Sequence, residues 1–180
     1  MYRGKETAAK EGVPQMKRIS RITGLAAVAD GTGRRAGRVL RVCVSADGQW
    51  VTGLILLAGS LLRRKGYVPF EHITLWGEVT VTVSAVQPVP KALRGAHGIV
   101  GLTVTDTCGE RVGRVTDAFV EVNTGSVTAL EVSQGFVDDF LTGRVRVTDF
   151  TLRHGGVVAA MEAGGQEDVS SDRQAPDEDA

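Results

Sequence analysis

Two adjacent carboxylates flanked by aromatic side chains are the residues of this sequence best suited to chemistry. Asp138 and Asp139 lie between Phe136 and Phe140. Paired carboxylates can act as general acid and base, or can hold a hard cation. Neighbouring residues of an extended chain point to opposite sides, however, so these two side chains do not converge on one site. We therefore predict a solvated loop that is available to a partner rather than to a reaction.

Sulfur and imidazole groups are scattered along the chain. Its two cysteines and three histidines include no Cys-x-x-Cys pair and no histidine cluster of the kind that binds zinc. Cys43 falls in a predicted strand and is interpreted as a core residue, whereas Cys108 falls in a polar turn and is interpreted as an exposed thiol. No Gly-x-Ser-x-Gly motif occurs. We predict no catalytic, cofactor-binding or metal-binding residue, and a protein that is not an enzyme.

Basic side chains concentrate at two places in the first half of the chain. One group is Arg63, Arg64 and Lys65, and the other is Arg34, Arg35 and Arg38. A glycine-rich phosphate cradle needs a helix after its turn, and here the sequence predicts a strand, so turn geometry explains the glycines around Arg34. The two groups predict a basic patch that is either a solvated face or a phosphate contact with salt-dependent affinity. Tyr67 is the nearest aromatic residue, so base stacking has little support.

The elements that position these residues are predicted to be short strands. The chain of 180 residues contains 26 Val, 16 Thr and 23 Gly. Val and Thr are β-branched and favour a pleated sheet, and interspersed glycines favour tight turns. Residues 78–83 alternate strictly between the two faces of a strand. The sequence contains no long helical period.

A repeat with an offset of 76 residues, from Asp30 to Asp106, organises the middle of the chain. Residues 30–39 and 106–115 share Asp, Gly, Arg, Gly, Arg and Val at the same places. Each copy predicts about five short strands, which suggests a small antiparallel barrel. We assign residues 18–86 and 99–161 to two units and residues 87–98 to a linker. Because each unit is small, we expect the two to pack on each other.

The two ends of the chain carry opposite charges, although the formal net charge is zero. Residues 1–17 form a basic leader, and residues 162–180 contain seven acids against one arginine. Both ends are poor in large apolar groups, so we predict that they are disordered. No apolar stretch is long enough to span a bilayer and no signal peptide is visible, which predicts a cytoplasmic protein.

The repeated Asp-x-x-Gly-x-x-x-Gly-x-Val turn, its apolar return strand and residues 131–144 resemble the PRC-barrel, a domain named for the H subunit of photosynthetic reaction centres. Residues 58–66 of the first copy keep the glycines of that last stretch and lack its acids. The resemblance implies an all-β fold with two small antiparallel β-barrels in tandem, between disordered termini. It also implies partner binding, because such barrels cover the cytoplasmic face of the reaction centre and meet a ribosomal protein in a ribosome maturation factor. The family shares no catalytic residues.

We predict a non-catalytic binding or scaffold protein of the bacterial cytoplasm, without a cofactor, whose partner is another protein. An RNA-processing or ribosome-assembly accessory is the first alternative, and an accessory on the cytoplasmic side of a membrane complex is the second. Self-association is left open. The predicted interaction surface lies in two loops and consists of Arg63, Arg64, Lys65, Phe136, Asp138, Asp139 and Phe140.

Overall fold

The computed structural model describes residues 15–58, 64–94, 98–135, 143–153 and 155–160. They form strands, one turn of α-helix (α1, Ile19–Ile22) and 3-10 turns at Phe70–His72 and Lys91–Leu93. The strands β1 to β14 are, in chain order, Met16–Arg18, Ala26–Ala29, Arg35–Val44, Val51–Ala58, Arg64–Pro69, Ile73–Trp76, Thr80–Val83, Gln87–Pro88, Thr103–Thr105, Arg111–Glu121, Ser126–Ser133, Val145–Val147, Phe150–Arg153 and Gly156–Ala159. The predicted all-β class is confirmed.

The strands form two sheets with matching orders. The first is β6-β7-β2-β3-β4-β5-β8, and the second is β13-β14-β9-β10-β11-β12 with β1 added alongside β10. In each sheet one pair is parallel, β2 with β7 and β9 with β14, and the other pairs are antiparallel. The parallel pair arises because the last hairpin crosses to the far side of the first strand of the unit. The predicted antiparallel barrels therefore need correction: both sheets are mixed, and over the described residues neither closes into a barrel.

The repeated turn motif has the same structural role in both sheets. Its first glycine has a positive φ, +63° at Gly33 and +87° at Gly109, which residues with a Cβ atom rarely adopt. Its second glycine lies where the long strand approaches the returning strand. A Cβ atom would lie 2.8 Å from a backbone oxygen of β4 at Gly37, and 2.2 Å from one of β11 at Gly113. Turn geometry thus explains the first glycine of the motif, as predicted, whereas the close approach of two strands explains the second, which the sequence had also assigned to turn geometry.

One hydrophobic core takes side chains from both sheets. It includes Ile22 from α1, Leu54 from β4 and Leu130 from β11, all fully buried. The two long hairpins also contact each other through the backbone, since Val51 N–H donates to the Gly125 carbonyl at 2.8 Å. The expected packing between the two units is therefore present. The apolar area that each sheet buries depends on the other.

The first strand of the chain joins the sheet of the other half. β1 pairs with the end of β10, with Lys17 opposite Val120 and Arg18 opposite Phe119. It therefore extends the second sheet, although it precedes the first sheet in the sequence. Residues 16 and 17, which the sequence assigned to the basic leader, belong to this strand. We call residues 15–22 the N-terminal strap.

Candidate interaction surface

The face of the first sheet that points away from the shared core carries two rows of residues that pair across β3, β4 and β5. One row is Arg38, Leu57 and Lys65, and the next is Arg41, Ile55 and Tyr67. Directly opposite residues on antiparallel strands lie about 5 Å apart on the same face. Arg38 and Lys65, which the sequence placed in one basic patch, therefore share this face.

A β-bulge in β3 brings both Leu40 and Arg41 to this face. The pairing with β4 skips Leu40, between Val39 and Arg41. In a regular strand Arg41 would follow Val39 to the core side, where a guanidinium without partners is costly. The bulge keeps Val39 buried and leaves Leu40 42% exposed. An exposed leucine thus lies next to an arginine.

Residues 87–94, which we call the linker strap, cover part of the same face. Side chains of the sheet and of the linker strap form a small apolar cluster: Cys43, Ile55 and Tyr67 with Val89 and Leu93. Burial raises the pKa of the Cys43 thiol, and the neighbouring Arg41 opposes this effect only in part. Cys43 is therefore a buried residue, as predicted, and Cys108 is exposed, as predicted.

A groove of about 640 Å³ lies between the first sheet and the linker strap. Leu40, Ile55, Val89 and Leu93 give it apolar walls, and Arg41, Lys65 and Arg94 give it charge. Arg41 Nη2 donates to the Leu93 carbonyl at 3.1 Å, and Arg94 Nε donates to the Val89 carbonyl at 3.3 Å. Among the described residues that line it, none is acidic. We call it the cationic groove.

A smaller groove of about 440 Å³ continues from the cationic groove across the junction of the two sheets. Leu40 and Arg41 line both grooves, and Val100, which is 43% exposed, lines the smaller one. The aliphatic part of Arg41 lies against Gly98, where an added Cβ atom would be 3.4 Å from Arg41 Cδ. Arg41 therefore contacts the chain on both sides of residues 95–97.

The equivalent face of the second sheet carries acids. At the 76-residue offset, Asp117 stands where the first sheet has Arg41, and Glu131 stands where it has Ile55. The strand pairing shifts at the same place in β10 as in β3. Asp117 and Glu131 pair across β10 and β11 and are only 4% and 8% exposed. Equivalent backbone positions thus present opposite charges.

The N-terminal strap fills this acidic face. Arg18 Nη2 lies 2.9 Å from Glu131 Oε2, and the Arg18 guanidinium lies 4.8 Å from the centre of the Phe119 ring. The backbone N–H of Ser20 donates to Asp117 Oδ1 at 3.1 Å, and the Ser20 hydroxyl donates to Oδ2. Both buried carboxylates therefore have partners, which an ionised group in a protein interior requires.

Each strap thus comes directly before one sheet in the chain and lies on the other sheet. The N-terminal strap precedes the first sheet in the chain and lies on the second, and the linker strap precedes the second sheet and lies on the first. On the acidic face, Arg18 of the N-terminal strap and Arg144 both pair with Glu131, whereas in the cationic groove Arg41 donates to the Leu93 carbonyl of the linker strap. The cationic groove keeps an open volume of about 640 Å³ beside the linker strap.

The structure describes two of the predicted surface residues. Arg64 and Lys65 begin β5 and are exposed, and Lys65 lines the cationic groove. The other five lie outside the described residues: Arg63, Phe136, Asp138, Asp139 and Phe140. Partner binding by the two predicted loops therefore stays a prediction.

Sequence reasoning missed Leu40, Arg41 and Arg94 as members of the site. The first two carried a usable signal, because Arg41 breaks the alternation of the strand that contains Val39 and Val42, and such a break indicates a bulge. Arg94 lies in the linker, and nothing local predicts that this segment folds back onto the sheet.

Neither a metal centre nor a membrane-spanning helix is found in the part of the chain that the structure describes. No group of three His, Cys, Asp or Glu side chains is placed there to hold a metal ion. His72 Nδ1 lies 3.0 Å from Ser84 Oγ in a local contact between a 3-10 turn and the end of β7. The helices described there are too short to cross a bilayer.

The comparison with protein families supports the resemblance for the second half of the chain. The family model of the PRC-barrel domain matches residues 93–161, which contain β9 to β14. The first sheet lies outside this match. No curated protein matches the chain.

Proposed function

We propose that this protein is a non-catalytic binding protein of the bacterial cytoplasm, and that its cationic groove takes an acidic segment of a protein partner. The observation that carries the proposal is the open groove with three cations over apolar walls. Cations at the rim attract and orient an acidic segment, while apolar walls accept its aliphatic side chains.

We further propose that the first sheet is a second unit of the PRC-barrel type. The support is the matching strand order and the repeated turn motif with its two glycines. In this view the second unit uses its outer face to bind the N-terminal strap, and the first unit keeps the equivalent face for a partner. Duplication followed by a change of charge would produce this division of roles.

Binding of RNA is the weaker alternative at this groove. The cations would suit phosphates, but single-stranded RNA is usually held by aromatic side chains on which its bases stack. Tyr67, the aromatic residue of this face, is buried, and its hydroxyl donates to the Thr52 carbonyl at 2.6 Å. Tyr67 is therefore unavailable to a base.

A binding assay with labelled peptides tests the proposal. The probe is a 12-residue peptide that alternates acidic residues with leucine, and the control peptide replaces the acids by their amides. We expect the acidic peptide to bind and the double variant Lys65→Glu/Arg94→Glu to bind at least about tenfold more weakly, because attraction becomes repulsion. The matched control is Arg111→Glu/Arg153→Glu, which makes the same charge change at exposed positions of the second sheet.

Equal binding by the two double variants would show that only net charge matters and would reject the groove as the site. Tight binding of single-stranded RNA that depends on Lys65 and Arg94, without binding of the acidic peptide, would favour the RNA alternative.

A further inference from the structure

We infer that the cationic groove is also the docking site of the chain's own acidic C-terminal segment, residues 162–180, which thereby competes with the partner. This inference rests on the proposed function, because both use one groove. It adds a form of regulation: the chain occupies its own site until a stronger acidic segment displaces it.

Charge complementarity is the first argument. Residues 162–180 contain seven acids and one arginine, a net charge of −6. The cationic groove offers Arg41, Lys65 and Arg94, and Arg38 lies in the adjacent row of the same face. The segment also contains Val169, an aliphatic side chain of a size that suits the apolar walls of the groove.

The second argument is that the equivalent face of the second sheet is already occupied by another segment of the chain. The N-terminal strap lies there, and its Arg18 shares Glu131 with Arg144, which lies 2.7 Å from the same carboxylate. The first sheet instead offers an open groove.

Reach is the third argument. β14 ends at Ala159 in the second sheet. An extended chain covers at most about 3.5 Å per residue, so the 19 residues from 162 to 180 can span roughly 65 Å. A folded chain of this length has a radius of gyration of about 16 Å, so no point of its surface is beyond that span. Tethering would give the segment an effective concentration on the order of 1 mM at the groove.

The test measures binding of a labelled peptide of residues 162–180 to the full chain and to a chain that ends at residue 160. We expect the shortened chain to bind the peptide at least about fivefold more tightly, because its groove has lost the tethered competitor. A full chain whose seven tail acids are changed to amides should bind like the shortened chain. In the shortened chain, Lys65→Glu/Arg94→Glu should weaken binding at least about tenfold, and Arg111→Glu/Arg153→Glu should not.

Several results would overturn the inference, in different ways. If the full and shortened chains bind the tail peptide equally, or neither binds it while both bind the acidic leucine peptide, the tail is not the competitor and the proposed function stands. If neither chain binds either peptide, the proposed function falls as well. Weakening by both double variants to the same extent would reject the groove as the tail's site.

Discussion

Arg41 and Asp117 occupy equivalent places in two sheets and have opposite charges. The bulge before each of them decides where the side chain points, and the residue type decides what it binds. Asp117 accepts hydrogen bonds from the N-terminal strap, and Arg41 donates one to the linker strap. The repeat therefore preserves the direction in which the side chain points, whereas the charge of the side chain differs between the two copies.

At the residue scale, Gly113→Ala should destabilise the protein by about 1 to 3 kcal/mol, because the new Cβ atom would lie 2.2 Å from the Ser133 carbonyl oxygen. Gly156→Ala is the matched control, since its Cβ atom would meet the nearest backbone oxygen at 3.4 Å. Urea denaturation measures both. Equal stability of the two variants would contradict the close approach of β10 and β11.

Glu121 gives a pH-dependent prediction. Partial burial acts to raise the pKa of Glu121, but hydrogen bonds from the Thr124 hydroxyl and from the backbone N–H groups of Asn123 and Thr124 outweigh it and lower the pKa below 4.5. The folded state therefore favours the carboxylate. Its stabilising effect is present above the pKa of the unfolded chain and is lost as the pH falls through the folded value.

Glu121→Gln should accordingly unfold at a lower urea concentration than the parent at pH 7, and the difference should shrink toward about pH 3. Glu110→Gln, at an exposed turn position, is the control. A difference for Glu121→Gln that stays constant across this range would show that the carboxylate charge is not the cause.

Which of these residue roles could be predicted depends on the range of the interaction. The buried Cys43, the exposed Cys108 and the turn glycines follow from local pattern, and all three predictions are confirmed. Burial of Asp117 could not be predicted, because its partners Arg18 and Ser20 lie about a hundred residues away in the chain, whereas Glu131 also pairs with the nearer Arg144 at 2.7 Å. Local sequence carries no information on such a partner.

At the scale of elements, the N-terminal strap completes the second sheet rather than the first. Its strand covers the end of β10, Lys17 pairs with Glu78 of the first half, and Arg18 pairs with Glu131 of the second. The strap therefore links both halves through charge as well as through backbone hydrogen bonds. Repeats and strand patterns predicted most strands, but this exchange involves residues outside the repeat.

Removal of residues 1–18 should destabilise the protein by about 1 to 3 kcal/mol, because Glu131 keeps Arg144 but loses Arg18, and the end of β10 loses its neighbour. Removal of residues 1–14 leaves β1 in place and should have a much smaller effect. The measurement is the urea midpoint of each shortened chain. Equal midpoints would mean that β1 contributes nothing to the second sheet.

At the scale of the whole molecule, the shared core predicts that the two sheets unfold together. Trp76 is only 9% exposed and lies in the first sheet, so its fluorescence should change in the same transition as the far-ultraviolet circular dichroism of the whole chain. Residues 18–88 alone should show no sharp thermal transition. Two separated transitions, or cooperative unfolding of that fragment, would contradict a common core.

The pairing of β1 with the second sheet also sets the order of folding steps during synthesis. Ser20 and Asp117, which bind each other, are 97 residues apart in the chain. At a synthesis rate of about 5 to 20 residues per second, the N-terminal strap is made on the order of 5 to 20 seconds before Asp117, which it binds. Pairing of β1 with β10 is therefore among the last steps of folding. A paired β1 shows that the later-made half has folded.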